Sequence, residues 1–516
     1  MKIAATVSAL AVALASACGD SGDSDLNVGK RDAAQDAETV EQGDAAVDAA
    51  QPDAAEPATP PSLSAGGDCP ALVGSGVEHN SDVTGSETWT AAAGPHRVTA
   101  TLSVKGTLTV EACARVILSK GVSMYIGSSS DAGRLITKGE FSEASATSAE
   151  QRRPVVFTSA AADQYWGMLF VNGLGHADFR YTVLQRGGDS GAISTSRGGA
   201  LVVRGPNDGS LRRMVAAQQL LVLDSGGFGV TLESGAGFEE SAAASLLVQG
   251  TGKLPKPAGY GADIDPVYPV FVEPPGLGSL PEGLYRSSSD GVASENDKIL
   301  VVPRLTLTGD EQFHDRGVPY LIKNSNFSMR PAVSATLTID PGVTLRFHHD
   351  PSSGNRIGMT LGDGASIDPR PVLLSVVGTA QQPIVFTSDS AIPAAGDWSG
   401  LYLDMSPSAG NRLSHARVLY AGADSLTSSY GCGPGDNDAA ILITDWRPDD
   451  AFITNVEIAN SAAGGIMSGW RSDSDGPELK SGNTFSAIAN GCAVSRWQNA
   501  TGLACPGRTD VAPLCL

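Results

Sequence analysis

Asp178 and Arg180 lie two residues apart, which on a strand puts a carboxylate and a guanidinium on the same face. They are the best catalytic candidates in the chain. A second set pairs indole rings with cations: Trp446-Arg447, Trp470-Arg471 and Arg496-Trp497. An exposed indole beside a guanidinium can stack on a sugar ring or hold a cation–π contact. Packing of the same rings under end loops is the competing reading. Gly188-Asp189-Ser190-Gly191 would offer a serine nucleophile, but such a serine needs a histidine base and an orienting acid held in three dimensions. The same four residues recur as Gly19-Asp20-Ser21-Gly22, outside any folding pattern, so a turn accounts for both. His348 and His349 would point to opposite faces of a strand and do not readily share an ion, so a solvated strand end explains His348-His349-Asp350. Asp436-Asn437-Asp438 and Asp473-Ser474-Asp475-Gly476 carry pieces of a calcium loop without its distal glutamate. No metal site is assigned, and a structural calcium ion is the one cofactor left open.

These residues need a scaffold, and the sequence writes one twice. Thr107-Leu-Thr-Val-Glu111 is followed by Pro154-Val-Val-Phe-Thr-Ser159. Thr336-Leu-Thr-Ile-Asp340 is followed by Pro383-Ile-Val-Phe-Thr-Ser388. The offset from Thr107 to Pro154 is 47 residues, and so is that from Thr336 to Pro383. Flanking segments match as well, including Trp89 with Phe313 and Trp166 with Trp398. This is an internal repeat. Within each copy, short β-branched runs such as Ala200-Leu-Val-Val203 and Leu220-Leu-Val-Leu223 alternate with Gly, Asn, Asp and Ser, and no helical period persists. Strands this short cannot bury a face alone, so they must stack.

The run from Asn455 to Ile466 resembles a rung of a right-handed parallel β-helix, of the pectate-lyase-like solenoid type. Pro383-Ile-Val-Phe-Thr-Ser388 followed by Asp397-Trp-Ser-Gly-Leu401 resembles rungs of bacterial surface β-helix lipoproteins. The resemblance implies an all-β fold: a right-handed, single-stranded parallel β-helix solenoid with two tandem related modules behind a disordered acidic tether. The expected layout is module 1 over residues 67–265, connecting rungs over 266–305 and module 2 over 306–516. Strand neighbours about 4.8 Å apart would make ~16–20 rungs a rod of about 75–100 Å. Such folds also house lyases and hydrolases of acidic polysaccharides, which carry clustered Asp on one sheet with an Arg or Lys able to act at the sugar. Asp178 and Arg180 are the residues here that could serve. Their counterparts in the second module are Arg412 and Ser414, so the pair is not duplicated.

The N-terminus reads as a signal peptide over residues 1–17: a charged start, a short apolar run and small residues before Cys18. Ala15-Ser16-Ala17 suits ordinary cleavage and secretion. The same residues before Cys18 resemble a lipobox, with Ala15 where that pattern prefers Leu. The chain has seven cysteines. Assigning Cys18 to lipidation leaves Cys69, Cys113, Cys432, Cys492, Cys505 and Cys515 for three bridges in an oxidising compartment. By proximity, Cys69 would pair with Cys113, Cys432 with Cys492, and Cys505 with Cys515. Residues 18–66 form a tether rich in Ala, Asp, Glu and Pro. From residue 19 it holds eleven acidic and two basic residues, a net of −9 within the chain's −21. Such a segment cannot bury enough apolar surface to fold, and as a coil it would span about 35–40 Å.

The acidic balance argues against nucleic acid, whose phosphates need a basic face. The expected role is surface binding, adhesion or structural display at the cell envelope, lipid-anchored at the outer membrane or cell surface, or else secreted. Partners would be the membrane through the anchor, and a glycan or another envelope protein. The alternative is a polysaccharide-active lyase or hydrolase.

Overall fold

In a computed structural model, the chain falls into two units, Met1–Asp53 and Ala54–Leu516. The structure describes residues 68–71, 73–142, 150–189, 198–206, 208–255, 267–349, 357–362, 371–404, 409–423, 438–444, 446–469, 476–496 and 514–516. The proposed signal peptide, Cys18 and the tether lie outside these residues.

The described part is all-β, with no α-helix. All strand pairs are parallel except Glu140–Ser142 with Gln151–Arg153 and Val494–Arg496 with Leu514–Cys515. A parallel pair needs a long connection between its members, and here that connection is one layer of the stack. Thr107–Glu111 lies between Ser86–Trp89 and Arg134–Lys138, and Val155–Ser159 between Arg115–Leu118 and His176–Gln185. The second copy is built alike. Ala335–Ile339 lies between Glu311–Phe313 and Val372–Val377, and Ile384–Ser388 between Thr344–Phe347 and Arg412–Leu419.

Alternation fills the interior. In Thr107–Glu111, Leu108 and Val110 point in; in Ala335–Ile339, Ala335, Leu337 and Ile339 do. Phe157 and Phe386 are both buried, as are Trp166 and Trp398. The two indoles do equivalent work. Trp166 Nε1 donates to the Gln185 carbonyl and Trp398 Nε1 to the Leu419 carbonyl, each at 2.8 Å. Trp398 also stacks on Phe347, with centroids 4.1 Å apart.

The corners use backbone that most residues avoid. His176–Gln185 pairs with Arg134–Lys138 through its first half and with Val155–Ser159 through its second. Between the halves, Tyr181 turns the strand at φ 34°. Its second-copy counterpart, His415, does the same at φ 49°. Such left-handed positions favour Gly or Asn, so neither corner announces itself in the sequence.

One sheet carries the stack through the Pro/Gly-rich connection. Val270–Val272 pairs with Phe228–Glu233 on one side and Ile299–Val301 on the other. Ile299–Val301 pairs in turn with Tyr320–Ile322, and that strand with Thr344–Phe347. In this sheet the two repeats are joined without a break, but not in phase. Ile384–Ser388 falls in the column that begins at Leu102–Val104, whereas its equivalent, Val155–Ser159, belongs to the sheet that ends at Glu282–Arg286. Equivalent faces of the two repeats thus continue different columns.

Candidate functional site

Asp178 and Arg180 lie before the Tyr181 corner, on the outer face of their strand, while Ala177 and Phe179 fill the interior. Asp178 sits level with Ile136 in one neighbouring layer and Ala216 in the other, and Arg180 level with Gln218. Asp178 Oδ1 and Arg180 Nε are 3.9 Å apart, a loose ion pair with the guanidinium half exposed. The same alternation puts His176 on this face, where its Nε2 meets Glu239 Oε1 at 2.8 Å. Beside them Arg213 pairs with Glu240. The period-two rule that joins Asp178 to Arg180 also predicts His176. Glu239 is 63 residues away in sequence and gave no local signal.

The chemistry open to this patch follows from its pairing. A histidine oriented by a carboxylate is half of a general-base arrangement. Here the hydrogen on Nε2 faces Glu239, so Nδ1 is the nitrogen left to take a proton. Nδ1 is buried and has no hydrogen-bond partner, so it does not face a substrate arriving from solvent. Asp178 and Glu240 each pair with an arginine, and Glu239 accepts from the His176 imidazole. The patch is self-neutralised, with no two free acids side by side for glycosidic acid/base work.

Of the proposed Trp/Arg ladder, the structure describes Trp446, Arg447 and the backbone of Arg496. Trp446 is half-buried and packs on the core, its ring 5.7 Å from that of Phe452. Arg447 is exposed. Trp470, Arg471 and Trp497 lie outside the described residues, as does the side chain of Arg496. The backbone register sets Arg496 level with Ser468 and Ile443, four positions from Arg447, so the two arginines do not stack in one column. At Trp446 the ring is thus partly taken up by packing on the core.

Cys69 and Cys113 are bonded as expected, with Cα atoms 5.3 Å apart. At the other end the pairing is corrected. Cys492 bonds Cys515, so neither Cys432–Cys492 nor Cys505–Cys515 is made. The cause is the antiparallel return of Leu514–Cys515 onto Val494–Arg496, which sets Cys515 level with Ser495. Cys432 and Cys505 lie outside the described residues.

His349 turns toward the loop before Trp398. Its Nδ1 is 3.1 Å from the Asp397 carbonyl, and Asp397 Oδ2 accepts the Ser388 hydroxyl at 2.6 Å. Ser, Asp and His thus meet, but in the wrong order for a nucleophile: the hydroxyl donates to the acid rather than to the imidazole. Asp350, Ser190 and most of the calcium-like fragments lie outside the described residues. Among the described residues, no group of three or more His, Cys, Asp or Glu could hold a metal ion. None contains a helix long and apolar enough to cross a membrane. Comparison with family models, with curated proteins and with solved structures returns no match.

Proposed function

We propose that the chain is a lipid-anchored envelope protein whose folded part is a right-handed parallel β-helix with a binding, adhesive or structural role and no chemistry of its own. Lipidation at Cys18 and the acidic tether over residues 18–66 would hold the stack off a membrane surface. Right-handed winding is the hand that parallel strands take across a connection in nearly all cases. A disulfide at each end supports an oxidising compartment. The observation that carries the reading is the unbroken column from Leu102–Val104 to Ile384–Ser388, which makes two repeats one continuous support. The self-neutralised patch at Asp178 supports recognition of a glycan or an envelope protein over turnover.

The second reading, a polysaccharide lyase or hydrolase, rests on Asp178 and Arg180 sharing an outer face with His176 and Glu239. A glycan-array screen run beside reducing-sugar and unsaturated-product assays on polyuronides separates the two. Binding without turnover is expected. Turnover that disappears in Asp178→Asn and Arg180→Ala would replace the first reading with the second.

A further inference from the structure

The ladder fails in one layer, where the two repeats meet. Ala236–Phe238 ends a column of strands, and Glu311–Phe313 begins another, pairing only with Ala335–Ile339. Between them lies a single 3₁₀ turn, Leu277–Ser279. Buried backbone groups must find partners, and here side chains supply them. Phe238 N donates to Ser279 Oγ at 3.0 Å, and Ser279 Oγ donates to the Gly276 carbonyl at 2.6 Å. The Leu280 carbonyl accepts Arg316 Nε at 2.9 Å, and the Pro281 carbonyl accepts the Tyr285 hydroxyl.

Glu311 closes the other side. Its Oε1 accepts the Gly278 and Gln312 amides at 3.2 and 3.1 Å, and the nearby Gly276 amide also favours the carboxylate form. Glu311 is 6% exposed, and its Oε2 is buried with no partner. The fit leaves little room. A Cβ on Gly276 would stand 2.7 Å from the Ala236 carbonyl oxygen, and one on Gly278 would stand 3.4 Å from Gln312 Cβ. The ionisable groups nearby offer no counter-charge. Burial raises Tyr285 and Tyr320 far above the usual phenol range, so both stay neutral. Arg316 is taken up by the Leu280 carbonyl and His314 is paired with Asp340, while Asp315 beside Tyr320 and Glu282 beside Tyr285 carry the same sign as an ionised Glu311.

We propose that Glu311 is a proton-operated latch between the two repeats: protonated, it holds the 276–280 turn against the strand at 311–313, and ionised, it lets this joint open. An uncompensated charge in an apolar site favours any state that hydrates it. Burial, partly offset by the three amides, pushes the carboxyl up to about 7 from 4.5. A group raised on folding stabilises below its unfolded value and loses that stabilisation as pH rises through the folded one. The joint is therefore tight near pH 5 and looser near pH 8. Taking those two values for the closed and open states, the opening equilibrium rises about 70-fold between pH 5 and pH 8.

Hydrogen exchange on the full chain tests this, with rates corrected for intrinsic base catalysis. Peptides covering Gly276 and Gly278 should gain opening by about that factor between pH 5 and pH 8, while the column through Ile299–Val301 and Tyr320–Ile322 should not. Glu311→Gln keeps the acceptor and removes the titration, so its exchange should be flat with pH. A wild-type joint indifferent to pH, or a Gln variant that keeps the dependence, overturns the proposal. Should the variant fail to fold, the wild-type chain still decides: a buried carboxylic-acid carbonyl band in the infrared must be present at pH 5.5 and lost by pH 8.5.

Discussion

Removing the Cys69–Cys113 bridge should loosen one end of the stack and leave the rest alone. The bridge spans 44 residues of sequence. Cross-linking a loop of that length restricts the unfolded chain by about 4 kcal/mol, which corresponds to roughly a thousandfold in a local opening equilibrium. The layers it closes hold Val77–His79, Ser86–Trp89, His96–Val98 and Leu102–Val104. Some restraint survives its loss, because Asp68 and Arg152 exchange two hydrogen bonds, Asp68 N to the Arg152 carbonyl at 2.7 Å and Arg152 N to Asp68 Oδ2 at 2.8 Å. The full figure is therefore an upper bound. In a stack, each layer contacts only its neighbours, so stability is a sum of local terms. Native-state hydrogen exchange on Cys69→Ser/Cys113→Ser should show protection falling by up to three orders of magnitude before residue 105. Ile299–Val301 and Tyr320–Ile322 should be unchanged. An even loss of protection along the chain would refute the layer-by-layer reasoning, and no loss at the first strands would refute the bridge's role.

Two further predictions use the duplicated interior and the first layers. Trp166→Phe and Trp398→Phe each remove the indole donor to a part-buried carbonyl, of Gln185 or Leu419, and each should cost about 1–3 kcal/mol in denaturant unfolding. At the opposite end from Glu311's behaviour, acid should loosen the stack where His79 and His96 meet. Their ring nitrogens are 3.0 Å apart and Trp89 stacks on both. Burial lowers both histidines below 6.5, and for His79 the neighbouring His96 adds to it. The unfolded chain then binds more protons below about pH 6.5, so stability falls as pH drops through that value. Exchange at Val77–His79 and His96–Val98 should accelerate between pH 7.5 and pH 5, after correction, and the dependence should shrink in His79→Phe/His96→Phe.

How far the sequence could be read depended on whether a feature was local. Alternation in Thr107–Glu111 and Ala335–Ile339 named the interior residues, and the equivalence of Trp166 and Trp398 extended to the carbonyls they bond. The phase of the second repeat was not legible. The column joined by Ile384–Ser388 is decided by the length and path of the connection between the repeats, which no strand records. The corners at Tyr181 and His415 lacked the Gly or Asn that marks left-handed backbone. His176 was within reach of the period-two rule, but Glu239 arrives from a later layer. Cys515 was paired by nearness in sequence, whereas an antiparallel return decides its partner. Glu311 reads as an ordinary polar strand position, and its burial arises because the layer beside it has a turn in place of a strand.

The stacking itself is tested most directly by a cross-link between outward residues one layer apart. Arg417 and Glu457 are level in neighbouring parallel strands, and their side chains meet at 2.7 Å. A short bis-maleimide, which adds one cysteine thiol across each of its double bonds, applied to Arg417→Cys/Glu457→Cys and read by peptide mass spectrometry, should join the two positions efficiently, because their backbones lie about 4.8 Å apart. Arg417→Cys paired with Lys105→Cys, placed in a distant layer, should stay unjoined. Failure of the first pair to cross-link in a folded chain would contradict the parallel stack.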